Sequence, residues 1–248
     1  MKEKEMIFGI RAVIEAIEAG KEIDKIIMRR ELQGDLSKEL FALLKDHNIP
    51  VQRVPSERLD RFTRKNHQGV IAFLSAITYE SIEDIIPFLY EQGKDPFIVL
   101  LDGITDVRNF GAIARTCEVA GVDVIVIPAR GSVTVNADAV KTSAGALMKI
   151  PVCKEQSLTA AIQFLKNSGV RVVAASERGA QTYTDVQYEG PVAIVMGAED
   201  TGVSNDNLRI ADHLVQIPQF GTIGSLNVSV AAGVLIYEVI RQRNVKKR

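Results

Sequence analysis

Cysteine is scarce in this chain of 248 residues: Cys117 and Cys153 are the only two. Two thiols without a cluster of histidine and cysteine exclude a disulfide scaffold and a zinc-ribbon type of metal site. His47, His67 and His213 show no ligand spacing, so no metal is expected. No apolar run reaches the roughly 20 residues needed to span a bilayer, so no membrane partner is expected either. The N-terminal MKEKEMIFGIRAVIEAIEAG is charged and then amphipathic. It lacks the apolar core of a secretory signal, and with reduced thiols the expected location is the cytoplasm. A P-loop, G-x-x-x-x-G-K-[ST], is absent, and the strand-end loops carry no G-x-G-x-x-G. A phosphate cradle and a dinucleotide fingerprint are therefore missing.

What remains is an ordinary globular composition, 46% apolar and 25% charged, with net charge −1. A near-neutral chain is a poor general polyanion binder, but distribution matters more than the sum. Arg53, Arg58, Arg61, Arg64 and Lys65 crowd one stretch against only Glu57 and Asp60, and His67 follows. The segment from Arg241 to Arg248 holds five cations and no acid. Taken alone, each cluster is better read as a solvated surface that aids solubility.

Periodicity divides the chain. Residues 9–20 read as a helix with Ile10, Val13, Ile14 and Ile17 on one face. A β-rich run follows at Ile23 to Met28, then a helix at Asp35 to Asp46 with Leu36, Leu40, Leu43 and Leu44 as its stripe, then strand candidates at 51–54 and 69–74. This predicts a small α/β domain over 1–75. Residues 76–95 read as a packed connector, with Ser81 as a helix N-cap and a break at Gln92 to Pro96. From Pro96 to residue 248, a continuous apolar run at 97–101 and further apolar-rich strand candidates at 122–127, 170–174, 192–196 and 214–217 alternate with helices at 109–120, 136–147, 157–167 and 226–243. Such runs fit strands covered on both faces of a mainly parallel sheet.

Ligands of such sheets sit beyond the C-terminal strand ends, and three loops there draw notice. The first runs from Asp102 to Thr116, with Asp106 a candidate cap and Phe110, Ile113, Ala114 and Cys117 a buried stripe; Arg115 falls off that stripe. The second is Met196-Gly197-Ala198-Glu199-Asp200-Thr201-Gly202-Val203-Ser204. The third runs from Ile217 to Ala231, with Ser225 a candidate N-cap of a last helix that is apolar nearly all round. Taken singly, Arg115 could be a solvated helix charge and Glu199 a helix-start acid. Small residues with Arg, Glu, Asn and Ser at three strand ends describe a site for a polar organic ligand without naming it.

These loops resemble, in order and spacing, the three motifs of the SpoU/TrmH family within the SPOUT superfamily. They read Asn109-x-Gly111-x-x-x-Arg115-Thr116, then Gly197-x-Glu199-x-x-Gly202-Val203-Ser204, then Ile217-Pro218-x-x-Gly221-x-x-x-Ser225-Leu226-Asn227-Val228-Ser229-x-Ala231. Phe8-Gly9-x-x-x-Val13-x-Glu15-x-Ile17 and Asn66-His67-Gln68-Gly69-Val70 look like the substrate-binding domain of the subgroup that methylates a guanosine of bacterial 23S ribosomal RNA. Asp106-Val107-Arg108 stands where Asp-Pro is frequent, Gln219 where Met is usual and Cys117 where Ala is common.

The resemblance implies an S-adenosylmethionine-dependent ribose 2′-O-methyltransferase acting on large-subunit ribosomal RNA. It implies a deep trefoil knot and a homodimer built on the knot and the last helix. Carried over by motif, it places Arg115, Glu199, Asn109 and Asn227 in catalysis and Gly197, Ile217, Leu226 and Ser225 around the methyl donor. Glu199 is expected to hold Arg115 or its loop. The alternatives are the same reaction on transfer RNA, which the extra N-terminal domain disfavours, and a non-catalytic RNA-binding or assembly factor, which the intact Arg115, Glu199 and Asn227 disfavour.

Overall fold

A computed structural model describes residues 6–47, 49–177, 179 and 181–245. The chain forms two compact units, Met1–Thr78 with Thr134–Ala137, and Tyr79–Val133 with Asp138–Arg248.

The first unit holds a four-stranded mixed sheet in the order β1 (Met6–Phe8), β4 (Val70–Leu74), β2 (Ile23–Arg29), β3 (Val51–Val54). Strand alternation gives the sheet two apolar faces. Ile26, Met28, Val70 and Ala72 point into one core with Val13, Ile14 and Ile17 of α1 (Ile10–Glu18) and Leu40 and Leu44 of α2 (Asp35–Asp46). Ile27, Ile71 and Phe73 point into the other with Val54 and Leu59. Of the expected α2 stripe, Leu36 is exposed and Ser37 is buried in its place. The basic stretch contains a short helix not visible in its periodicity, α3 (Ser56–Asp60), nailed down by fully buried Leu59.

The second unit begins with α4 (Ile82–Glu91). Ser81 precedes it, but its hydroxyl makes no cap bond; the Ile82 amide donates to the Glu155 carboxylate instead. The sheet has seven strands, all paired in parallel. Their order is β7 (Val152–Glu155), β6 (Val124–Pro128), β5 (Phe97–Asp102), β10 (Val192–Gly197), β8 (Arg171–Ala175), β11 (His213–Gln216), β9 (Gln181–Thr182). α4 and α7 (Leu158–Asn167) pack one face through Ile82, Ile86, Ile162 and Leu165 against Ile98, Leu100, Val126 and Val172. α5 (Val107–Ala120) packs with α9 (Val228–Val245), which also touches β10. Strands sealed on both sides explain the unbroken apolar runs.

Two helices differ from expectation. The segment 136–147 is helical only over α6 (Ala137–Thr142); Ala144 and Gly145 turn left-handed at φ 52° and 85°, and a 3-10 turn follows at Ala146–Met148. The last helix begins at Val228, not at residue 226. Its cap is Asn227, whose Oδ1 accepts from the Ser229 amide at 3.0 Å, so Ser225 does not cap it. α9 buries Val228, Ala232, Leu235, Ile236 and Val239, while Val230 and Tyr237 stay half exposed.

Candidate active site at the C-terminal strand ends

β10 sits between β5 and β8, so the loops after these strands converge at one edge of the sheet. There they surround a cavity of about 380 Å³. Its walls come from Ala175 to Glu177 after β8, Met196 to Val203 after β10, Ile217 and Gln219 after β11, and Ser225, Leu226, Val228 and Ala231 before and within α9. Three acidic residues, Glu177, Glu199 and Asp200, are among its walls, and no Lys or Arg is among its described walls.

The motif glycines have a steric cause. A Cβ on Gly197 would fall inside the backbone of Gly202 and Val203, because the loop after β10 doubles back over the strand end. That turn is closed by the Gly202 amide donating to the Ala198 carbonyl at 2.9 Å. A Cβ on Gly111 would stand 2.7 Å from the Thr142 side chain and 3.0 Å from the Ser143 amide, so α5 lies this close to the end of α6 only with glycine there. At both positions side-chain bulk must be absent for the backbone to approach.

Asp106 caps α5 as expected, accepting from the Arg108 and Asn109 amides at 2.8 and 2.9 Å. That places Asn109 in the first turn, where its Oδ1 accepts from Asn227 Nδ2 at 3.0 Å. The same Nδ2 donates to Glu199 Oε1, and the Val228 amide donates to that oxygen at 3.3 Å. One carboxylate and two amides thus tie the three motifs together beside the cavity. Glu199 also neutralises the positive end of α9.

Of the eight residues singled out in the sequence, Gly197, Glu199, Ile217, Ser225 and Leu226 line the cavity. Asn109 and Asn227 join Glu199 beside it. Arg115 is exposed on α5, and among the described residues nothing pairs with it. Six residues separate it from Asn109, about 9 Å along a helix. Glu199 therefore holds the start of α9, not Arg115. The Cys117 thiol, two residues on, is fully buried and its pKa is raised by burial, which removes it as a nucleophile. Among the described residues no group of His, Cys, Asp and Glu could hold a metal. No helix there is long and apolar enough to cross a membrane.

In the first unit, Arg53, Arg58, Arg61, Arg64 and Lys65 are all exposed. Arg53 lies over the Phe41 ring at 5.2 Å and Lys65 over Phe8 at 5.8 Å, so part of the cluster is held flat against the domain. The side chains of the His67–Gln68–Gly69 signature bond to the domain itself, although Gln68 is exposed. Gln68 Oε1 accepts from the Ile10 amide at 3.0 Å, capping α1. His67 Nδ1 accepts from the Gly69 amide at 3.0 Å, which leaves Nε2 to donate to Asp60. At the other basic cluster, Arg241 pairs with Glu238 at 2.7 Å and Arg243 donates to the Gly190 carbonyl at 2.7 Å. Lys246, Lys247 and Arg248 lie outside the described residues.

Comparison with known proteins agrees with this geometry. Residues 96–237 match the model of the SpoU rRNA Methylase family, and residues 6–80 match that of RNA 2′-O ribose methyltransferase substrate binding. A relative from Bacillus subtilis, named as the TrmH family tRNA/rRNA methyltransferase YacO, is 32% identical over 243 residues, 98% of each chain. Among solved structures, the AdoMet-bound rRNA methyltransferase of Sinorhizobium meliloti superposes with TM-score 0.61 at 28% identity, over 96% of this chain and 87% of its own. The SpoU methyltransferase AviRb of Streptomyces viridochromogenes, solved with AdoMet, shares the fold with TM-score 0.62 at 23% identity, over 97% and 90%. The chain belongs to the SpoU/TrmH family of RNA 2′-O-ribose methyltransferases and carries that family's substrate-binding domain.

Proposed function

We propose that the protein methylates the 2′-oxygen of a guanosine in large-subunit ribosomal RNA, in the cytoplasm, with S-adenosylmethionine as donor. The observation that carries this reading is the Asn109–Asn227–Glu199 junction, which joins all three motifs at the mouth of one cavity. The cavity suits the donor. Its volume falls in the range that encloses a small organic ligand, and three acidic residues in its walls without a described cation favour a molecule bearing a sulfonium and an ammonium. Gly197, Ile217, Ser225 and Leu226 would hold that molecule, largely through backbone groups. It supplies an activated methyl group; the chain supplies position and charge.

A ribose hydroxyl is a weak nucleophile at neutral pH, so the enzyme must orient it and ease loss of its proton. Arg115, free and exposed, binds the phosphate of the target nucleotide and offsets the charge that develops on the oxygen. Glu199 fixes Asn227, and Asn227 with Asn109 faces the ribose. Arg58, Arg61 and Arg64 in the substrate-binding domain give the RNA backbone its counter-charges. Val230 and Tyr237, half-exposed apolar side chains on α9, become the contact face of a homodimer, and the chain leading into α9 is the threaded part of a trefoil knot.

The test is methyl transfer from labelled S-adenosylmethionine to unmodified ribosomal RNA and, separately, to unmodified transfer RNA. The expected result is alkali-stable label at one guanosine ribose of the large-subunit RNA. Label on transfer RNA alone would keep the chemistry and overturn the substrate. Donor binding without label on either RNA would refute both targets.

A further inference from the structure

A second carboxylate stands behind the cavity, outside the motifs. Asp102 is the last residue of β5 and pairs in parallel register with Gly197 of β10. A single oxygen, Asp102 Oδ2, accepts from the Ser204 amide at 2.8 Å and from Asn207 Nδ2 at 2.9 Å. Ser204 ends the loop that begins at Ala198, and Asn207 belongs to the next helix, α8 (Asn205–Ile210). Asn207 is 2% exposed. Its other side-chain atom, Oδ1, accepts from the Thr159 hydroxyl at 2.8 Å. Because a carboxylate can only accept, the amide must turn its nitrogen towards Asp102, and the Thr159 hydroxyl must then donate. The network has one orientation.

The loop between these anchors contributes six consecutive residues to the cavity wall, Ala198 to Val203. It carries Glu199, and it lies over Gly197 so closely that no Cβ fits beneath it. β10 fixes its beginning. Asp102 bonds its end, through the Ser204 amide and Asn207.

We propose that Asp102 is a positioning residue for donor binding: through Ser204 and Asn207 it clamps the loop after β10 into the shape that closes on the donor. This rests on the reading that the cavity is the donor site. Asp102 does not line the cavity, so its effect is on donor affinity, transmitted by the loop. Both donors meet one oxygen, so asparagine, which keeps one carbonyl oxygen, can hold the same two bonds, whereas alanine holds neither.

The experiment compares Asp102→Ala, Asp102→Asn and Leu226→Trp in the full chain, by calorimetric titration with S-adenosylmethionine and by RNA binding. Loss of two bonds to a charged acceptor should weaken donor binding of D102A by about tenfold or more. D102N should return to within about threefold of the parent. Both variants should stay folded at the titration temperature with RNA affinity close to the parent's, which a general loss of structure would not allow; the melting temperature without donor should fall modestly in D102A, whose buried Asn207 amide loses its acceptor, and recover in D102N. L226W, which fills the cavity, should abolish donor binding. If L226W loses the donor while D102A binds it like the parent, the clamp is refuted and the donor site stands. If D102A and D102N are equally weak, the single-oxygen acceptor role is wrong. If L226W binds donor normally, the site and the clamp fall together. Should D102A not fold, Asn207→Ala removes one of the two bonds, and donor affinity equal to the parent's would overturn the proposal.

Discussion

The two units use their signature residues differently. In the methylase unit, most motif residues lie on or beside the cavity, with Arg115 exposed on α5: Gly197 admits the loop, Glu199 and Asn227 join the strand ends, and Leu226 forms wall. In the substrate-binding unit, the signature residues His67 and Gln68 bond to their own scaffold. Gln68 caps α1 and His67 ties a turn to Asp60, while the exposed cations around them belong to no tight motif. A chemical site needs particular atoms at particular places, so its residues form a fixed pattern. A phosphate backbone needs only positive charge at suitable spacing, so the fixed pattern there belongs to the scaffold.

Arg115→Ala breaks this contrast most sharply. Turnover should fall by about 100-fold or more, as when a preorganised charge-stabilising group is removed, with donor affinity held. Stopped-flow or single-turnover methyl transfer beside calorimetric donor binding checks it; normal turnover would refute the role. Gly197→Ala should be next. Its methyl has no room, so the loop after β10 must move, at a cost of about 1–3 kcal/mol or more in stability, and donor binding should disappear in a titration. Gln68→Ala should be smaller, about 1 kcal/mol of stability from a lost helix cap, seen as a lower denaturation midpoint. RNA affinity of that variant, measured while folded, should match the parent; a large selective loss would make Gln68 an RNA contact.

Much of the methylase unit is legible in sequence because burial on both faces leaves unbroken runs such as Phe97 to Leu101 and Val192 to Met196. The motif spacing likewise marks the cavity walls. What sequence does not show is which polar atoms meet. The cap of α9 passes from Ser225 to Asn227 because Glu199, 28 residues away in sequence, holds Asn227 and Val228 in place. The helix expected over 136–147 stops at Thr142 because the chain must turn at Ala144 and Gly145. Short elements are missed for lack of period: three-residue β1, α3 hidden in the basic stretch, and β9 of two residues. Asp102 gives no signal because its partners, Ser204 and Asn207, are 102 and 105 residues distant.

On the proposed reading, donor affinity resides in the methylase unit, and most of the affinity for the RNA backbone resides in the substrate-binding unit, with Arg115 adding one phosphate contact. The most direct test is the combined Arg58→Ala, Arg61→Ala and Arg64→Ala variant, with RNA binding measured across a salt series and donor binding measured in parallel. Loss of three phosphate contacts should lower the slope of log affinity against log salt by about 2–3 units, with donor affinity unchanged. An unchanged salt slope, or a donor affinity that falls along with RNA binding, would contradict the division of labour.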